Sequence, residues 1–158
     1  MKRLIFEINY TEYGNNEIPA EYLPLIEKAR AQTEKVYAIY SKFHVGAAAL
    51  LENGIVVEGN NQENAAYPSG LCAERTTVFY ANSQYPDVPV KAIAIAAYTA
   101  GEFLAEPITP CGACRQVLLE TENRYGKDLK LILYGTEKTY VLDNAKQLLP
   151  LSFGKERL

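Results

Sequence analysis

Residues 68–78 read PSGLCAERTTV and residues 109–116 read TPCGACRQ. In each, an irregular proline-bearing stretch runs into a cysteine and then into residues that continue as a helix. This places Cys72, Cys111 and Cys114 at helix N-termini. It also splits the chain into alternating elements. Ahead of the first segment, HVGAAALLENGIVVEGN (44–60) is expected to be a hairpin, because Asn53-Gly54 suits a two-residue turn between apolar runs. Behind it, VKAIAIAAY (90–98) is expected to be a buried strand. The second helix is expected to close near Gly126, with LKLILYG (129–135) and TYVLD (139–143) as further strands and NAKQLLP (144–150) as a short helix. At the front, Leu4 to Tyr10 alternates apolar and polar residues as a strand does. Residues 18–40 are expected to be a helix with Leu25, Ala29, Val36 and Ile39 inward and prolines only at its start. Such alternation predicts an α/β fold of three layers, α/β/α, around a mixed sheet of roughly five strands.

The chain has 158 residues, enough for one domain spanning 1–158 with its own core, and no repeat or linker divides it. Its formal net charge of −3 supplies no long-range attraction for nucleic acid. No apolar run is long enough for a membrane span or a signal core, so a cytoplasmic setting with reduced thiols is expected. Three cysteines cannot all pair within one chain, which argues against a disulfide framework.

Cys111 and Cys114 lie three apart, on one face of a helix's first turn, with small Gly112 and Ala113 between them. Zinc is the natural partner for thiolates in a reducing setting. Three cysteines without a fourth ligand make a catalytic arrangement, leaving one position for a water whose pKa the metal lowers. The lone histidine, His44, could close the site. A strand through Phe43–Val45, however, points it to the opposite face from both neighbours. Three thiolates against a divalent cation leave a net negative charge, and Arg75 is expected to offset it by donating to a ligand sulfur. Glu74 is too hard a ligand to be the first choice beside thiolates, and its useful role there is to carry protons. Alone, it reads as an acid complementing the helix dipole. Two other readings compete: a C-x-x-C redox pair, and a structural zinc module with four ligands.

The ordered set YSKFHVGAAAL, NNQENAAYPSGLCAERT, PCGACRQVLLE and LLPLSF resembles the small homotetrameric zinc-dependent cytidine deaminases of the cytidine/deoxycytidylate deaminase superfamily. The resemblance runs from about Tyr40 to Phe153. It implies hydrolytic deamination of cytidine and 2′-deoxycytidine to uridine and 2′-deoxyuridine plus ammonia, in pyrimidine salvage, with one Zn2+ per subunit. It implies Cys72, Cys111 and Cys114 as zinc ligands and Glu74 as the proton carrier. Phe43 would pack on the pyrimidine, and Asn61 and Glu63 would hydrogen-bond the ribose hydroxyls. Backbone at Ala73 and near Thr109 and Pro110 would read the base edge. Tyr67 and Phe153 would reach a neighbouring subunit's site. The partners implied are a small-molecule nucleoside and further copies of the chain in a homotetramer, with neither nucleic acid nor membrane. Blasticidin-type deaminases share the cysteine motifs but tend to lack the arginine after C-A-E, so Arg75 favours cytidine. The chain departs from the family at Asn60, where cysteine is common, and at Gln62, where a β-branched apolar residue is usual. Residues 1–17 extend beyond the family's core.

Overall fold

The apolar run 90–99 forms the central strand β4 (Val90–Thr99), and the remaining elements are arranged around it in the computed structural model, which describes residues 1–154. The other strands are β1 (Thr11–Gly14), β2 (His44–Leu51), β3 (Val56–Asn60), β5 (Glu102–Phe103), β6 (Lys130–Tyr134) and β7 (Lys138–Leu142). The helices are α1 (Leu23–Gln32), α2 (Ala73–Gln84) and α3 (Gly112–Tyr125). The sheet order is β1-β7-β6-β4-β2-β3, with β5 paired to the end of β4. The β4–β6 pair is parallel and its neighbours are antiparallel, so the sheet is mixed.

Residue alternation along the strands feeds two cores. Ala47, Ala49, Ile93, Ile95, Leu131 and Leu133 pack with Val78 of α2 and Leu118 of α3. On the other face, Ala48, Ala92, Ala94 and Ile132 pack with Leu25, Ile26 and Ala29 of α1. The three-layer α/β/α expectation therefore holds. Alanines along β2 and β4 let the helices approach closely. At Gly46 a Cβ would stand 2.0 Å from the Ala29 carbonyl oxygen, so the last turns of α1 rest directly on the β2 backbone. At Gly59 a Cβ would stand 2.4 Å from Thr77 Oγ1, which seats α2 on β3 in the same way.

Four expectations need correction. The sheet has seven strands, not about five, because short β1 and β5 extend it. The strand expected at Leu4–Tyr10 does not form, and pairing begins instead at Thr11, opposite Val141 of β7. Alternation marks a segment able to be a strand, but only a free edge makes it one. The helix expected over 18–40 is confined to α1 plus a 3-10 turn at Thr33–Lys35. Val36 is extended (φ −70°, ψ 153°), and Tyr37 donates to Asn61 O at 3.2 Å and accepts from Glu63 N at 2.7 Å. That pairing draws the chain out of the helix, and Ile39, expected inward, is exposed. The hairpin forms, but its loop is the three residues Glu52–Asn53–Gly54 and not the two-residue Asn53-Gly54 turn: Leu51 N donates to Ile55 O at 2.8 Å, Gly54 N donates to Leu51 O at 2.9 Å, and of the three only Gly54 takes a positive φ, 84°. Both cysteine-led helices and the Gly126 stop at φ 62° are as expected.

Gly46→Ala must push α1 off β2. It is expected to destabilise the fold by about 3 kcal/mol, lowering Tm by about 6–12 °C in a calorimetric melt.

Candidate active site

β3 and β4 both run antiparallel to β2 and are therefore parallel to each other, so α2 and α3 are both crossovers between parallel strands. Both helices begin beyond the carboxyl ends of the strands that precede them, where open α/β sheets place their sites. Cys72 and Cys111 are the two N-cap residues, each extended (ψ 155° and 166°), and Cys114 lies in the first turn of α3. Their sulfurs converge: Cys72 Sγ is 3.9 Å from Cys111 Sγ, Cys111 Sγ is 3.5 Å from Cys114 Sγ, and all three lie within 4.8 Å. Thiolates bound tetrahedrally to zinc at about 2.3 Å lie about 3.8 Å apart, so the donors fit that metal in type and spacing. No other His, Cys, Asp or Glu joins this cluster among the described residues. His44 turns away as expected, its Nδ1 lying 3.1 Å from Thr33 O on the α1 side.

Electrostatics distinguishes the three sulfurs. Hydrogen bonding from Cys114, and then from Arg75, pushes the Cys72 thiol down to about 5 against the effect of burial. Cys114 is pushed up, first by its bond to the Cys72 sulfur and then by burial. Arg75 Nη2 lies 3.8 Å from Cys72 Sγ, the contact expected from the charge of the ligand set. Glu74 is 4 % exposed, and burial raises its carboxyl above the ordinary value, with the neighbouring Cys72 charge adding to the shift. A carboxyl that holds its proton more readily is better matched to proton exchange near neutral pH.

A cleft of about 800 Å³ opens over this cluster, within the usual range for small-molecule sites. Phe43, Asn61, Glu63, Tyr67, Ala73, Glu74 and Arg75 all border it. Its walls are organised by hydrogen bonds that the sequence did not announce. Asn61 Oδ1 accepts from Val45 N at 2.8 Å, and its Nδ2 donates to Phe43 O at 2.9 Å. Glu63 Oε2 accepts from Tyr40 N at 2.8 Å and from Ser41 N at 3.3 Å. Ser41, then the neighbouring amides, hold the Glu63 carboxyl below its ordinary value, against partial burial. Ser41 Oγ also accepts from Phe43 N at 3.0 Å. The Asn61 and Glu63 side chains thus hold the segment that carries Phe43.

Phe153 is not brought to this cleft. It is 61 % exposed, and its carbonyl accepts from Gln116 Nε2 at 3.0 Å. Tyr67 stands at the mouth, 92 % exposed. Arg115 was missed by sequence reasoning. It donates to Pro110 O at 2.8 Å, Thr109 Oγ1 at 3.1 Å and Leu148 O at 3.0 Å, fixing the loop before α3. Its only sequence signal is its place directly after Cys114. Ile108, the apolar wall beside Thr109, had no signal at all.

Comparison with known proteins bears on this site. Residues 20–125 match the model of the cytidine and deoxycytidylate deaminase zinc-binding region. The chain is 40% identical over 134 residues to a cytidine deaminase of Sporosarcina psychrophila, covering 85% of this chain and 92% of that protein. The structure resembles that of cytidine deaminase from Burkholderia pseudomallei, with TM-score 0.72 and 41% identity over 84% of this chain and 98% of the other. It also resembles cytidine deaminase from Mycobacterium tuberculosis, with TM-score 0.66 and 32% identity over 86% and 99% of the two chains.

If Arg75 acts on the ligand sulfur, Arg75→Ala should lower zinc affinity about 10- to 100-fold in chelator competition. Unchanged affinity would make the contact incidental. Cys72→Ala should retain no stoichiometric zinc after dialysis, as read by elemental analysis.

Proposed function

The chain belongs to the cytidine and deoxycytidylate deaminase family, and on that premise we propose that it hydrolyses cytidine and 2′-deoxycytidine to uridine and 2′-deoxyuridine, releasing ammonia. The observation that carries this reading is the buried Glu74 carboxyl beside a three-sulfur cluster, at the floor of a nucleoside-sized cleft. Cys72, Cys111 and Cys114 hold one zinc per subunit, which when bound supplies the Lewis acidity that brings the pKa of water toward neutrality.

This chain's own groups do the rest. Glu74 takes one proton from the attacking water and passes it to ring N3, which makes C4 more electrophilic. The water oxygen bonds to C4. Its second proton moves to the exocyclic amine, the C4–N bond breaks, and ammonia leaves while C4=O and N3–H remain. Arg75, 3.8 Å from Cys72 Sγ, draws negative charge off an electron-rich ligand set that would otherwise weaken the metal's polarising power. The amides opening α2, beginning at Ala73, face the cleft with the positive end of the helix dipole. With the backbone near Thr109 and Pro110, they read the base edge.

Phe43 packs on the pyrimidine, on a backbone pinned at its carbonyl by Asn61 and at its amide by Ser41. Asn61 and Glu63 meet the sugar hydroxyls with the capacity their backbone contacts leave: a second amide hydrogen on Asn61, and further lone pairs on Glu63. A carboxylate there repels a phosphate on the sugar, so free nucleosides are favoured over nucleotides and strands. Tyr67 and Phe153 complete the site of a neighbouring copy in a homotetramer, which accounts for two aromatics exposed at 92 % and 61 %. The setting is cytoplasmic pyrimidine salvage. Among the described residues, no helix is long and apolar enough to cross a membrane.

Glu74→Gln keeps the shape and removes the proton exchange. It should retain zinc and lose about 10²- to 10⁴-fold in kcat, measured by the ultraviolet change of cytidine to uridine. Near wild-type turnover with zinc bound would refute the proton-carrier role.

A further inference from the structure

We propose that Gln62 is a positioning residue for the sugar side of the cleft, held by a directional amide relay that ties it to α1 through Asn60, Gln32 and Glu58. The inference rests on the reading of Asn61 and Glu63 as sugar-facing residues. Gln62 borders the cleft, but its side-chain amide turns back and donates to Asn60 Oδ1. Asn60 Nδ2 donates in turn to Gln32 Oε1 at 3.1 Å, and Gln32 Nε2 donates to Glu58 Oε2 at 2.6 Å. Lys28 Nζ holds the other oxygen of that carboxylate at 2.7 Å. Every N–H in the chain points the same way, toward the carboxylate. Hydrogen bonds aligned in series polarise one another and strengthen together. Gln32 is only 5 % exposed, so losing a partner there strands a buried amide.

The fold builds this relay deliberately. Asn60 pairs with Gly46 in the β2–β3 register, and at Gly46 a Cβ would lie 2.9 Å from Gln32 Cβ. The missing side chain at position 46 is what brings the end of α1 within reach of Asn60. Along the stretch 60–63, Asn60 and Gln62 turn their side-chain amides into the relay, while Asn61 and Glu63 turn their side chains to the backbone of residues 40–45 at the cleft wall. The backbone of the stretch is clamped between two partners. Gln62 exchanges both backbone bonds with Leu71 at 2.9 Å, one residue before Cys72. Asn61 O and Glu63 N pair with Tyr37 on the other side. A rotation of this stretch would therefore tilt Asn61 and Glu63 together and release Phe43, and the relay on the opposite face resists it.

The test compares cytidine with 2′,3′-dideoxycytidine, which lacks both sugar hydroxyls, as substrates or competing ligands of the zinc-loaded enzyme. Gln62→Val removes the end of the relay, and Asn60→Ser is a milder second variant that breaks it in the middle. Each should raise KM for cytidine about 5- to 10-fold, the worth of roughly one hydrogen bond, with kcat within about twofold. Binding of the dideoxy compound should change less than about twofold, which a merely structural defect would not spare. Unchanged cytidine KM in both variants, or equal losses with both ligands, overturns the relay. Glu63→Ala tests the underlying reading separately. If it weakens cytidine and spares the dideoxy compound, the sugar-facing reading stands whatever Gln62→Val does. If it leaves cytidine KM unchanged, that reading fails and the positioning role fails with it.

Discussion

Three sulfurs within 4.8 Å at the starts of two helices are the constraint on which the rest of this structure depends. Thiols so close cannot all ionise independently. Cys72 is favoured as the thiolate, at about 5, and Cys114 is pushed the other way by that neighbour and by burial. A divalent cation removes the conflict by letting all three donate as thiolates, as metal binding generally requires. To bring the sulfurs together, α2 and α3 must start at the same end of the sheet. The parallel relation of β3, β4 and β6 ensures that they do.

Close helix–sheet contact turns this topology into a precise site. Gly59 lets α2 sit on β3, so the first turn of α2 is fixed relative to the sheet. Glu74 is thereby held almost wholly buried where it borders the cleft. Gly46 does the same for α1 on the opposite face. The proton exchange proposed for Glu74 would need both positional fixity and a raised proton affinity, and one packing arrangement supplies both.

Much of the site was legible from sequence because its donors are rare and clustered. Cys72, Cys111 and Cys114 are all the cysteines the chain has, and their two segments carry their own helix-start signals. Arg75 was legible from charge arithmetic alone. Other features were not, because they depend on which edge or partner is available. Leu4–Tyr10 has a strand's alternation, yet β7 pairs with Thr11–Gly14. Residues 33–40 continue a helical pattern, yet Tyr37 is captured by the 61–63 stretch. The work of Asn61 on the Phe43 and Val45 backbone was equally hidden, since polar loop residues reveal nothing of their partners until the chain is folded. Arg115 bonds to residues 33 positions away as well as near at hand, and no local pattern encodes that.

Deamination of a free pyrimidine nucleoside at this cluster can be measured in a single experiment. The most direct measurement is ammonia release and the ultraviolet change for the zinc-loaded protein presented with cytidine, 2′-deoxycytidine, cytidine monophosphate and blasticidin S. Both nucleosides should yield stoichiometric ammonia, with the nucleotide and blasticidin S left essentially unturned. No ammonia from either nucleoside would rule out deamination at this site.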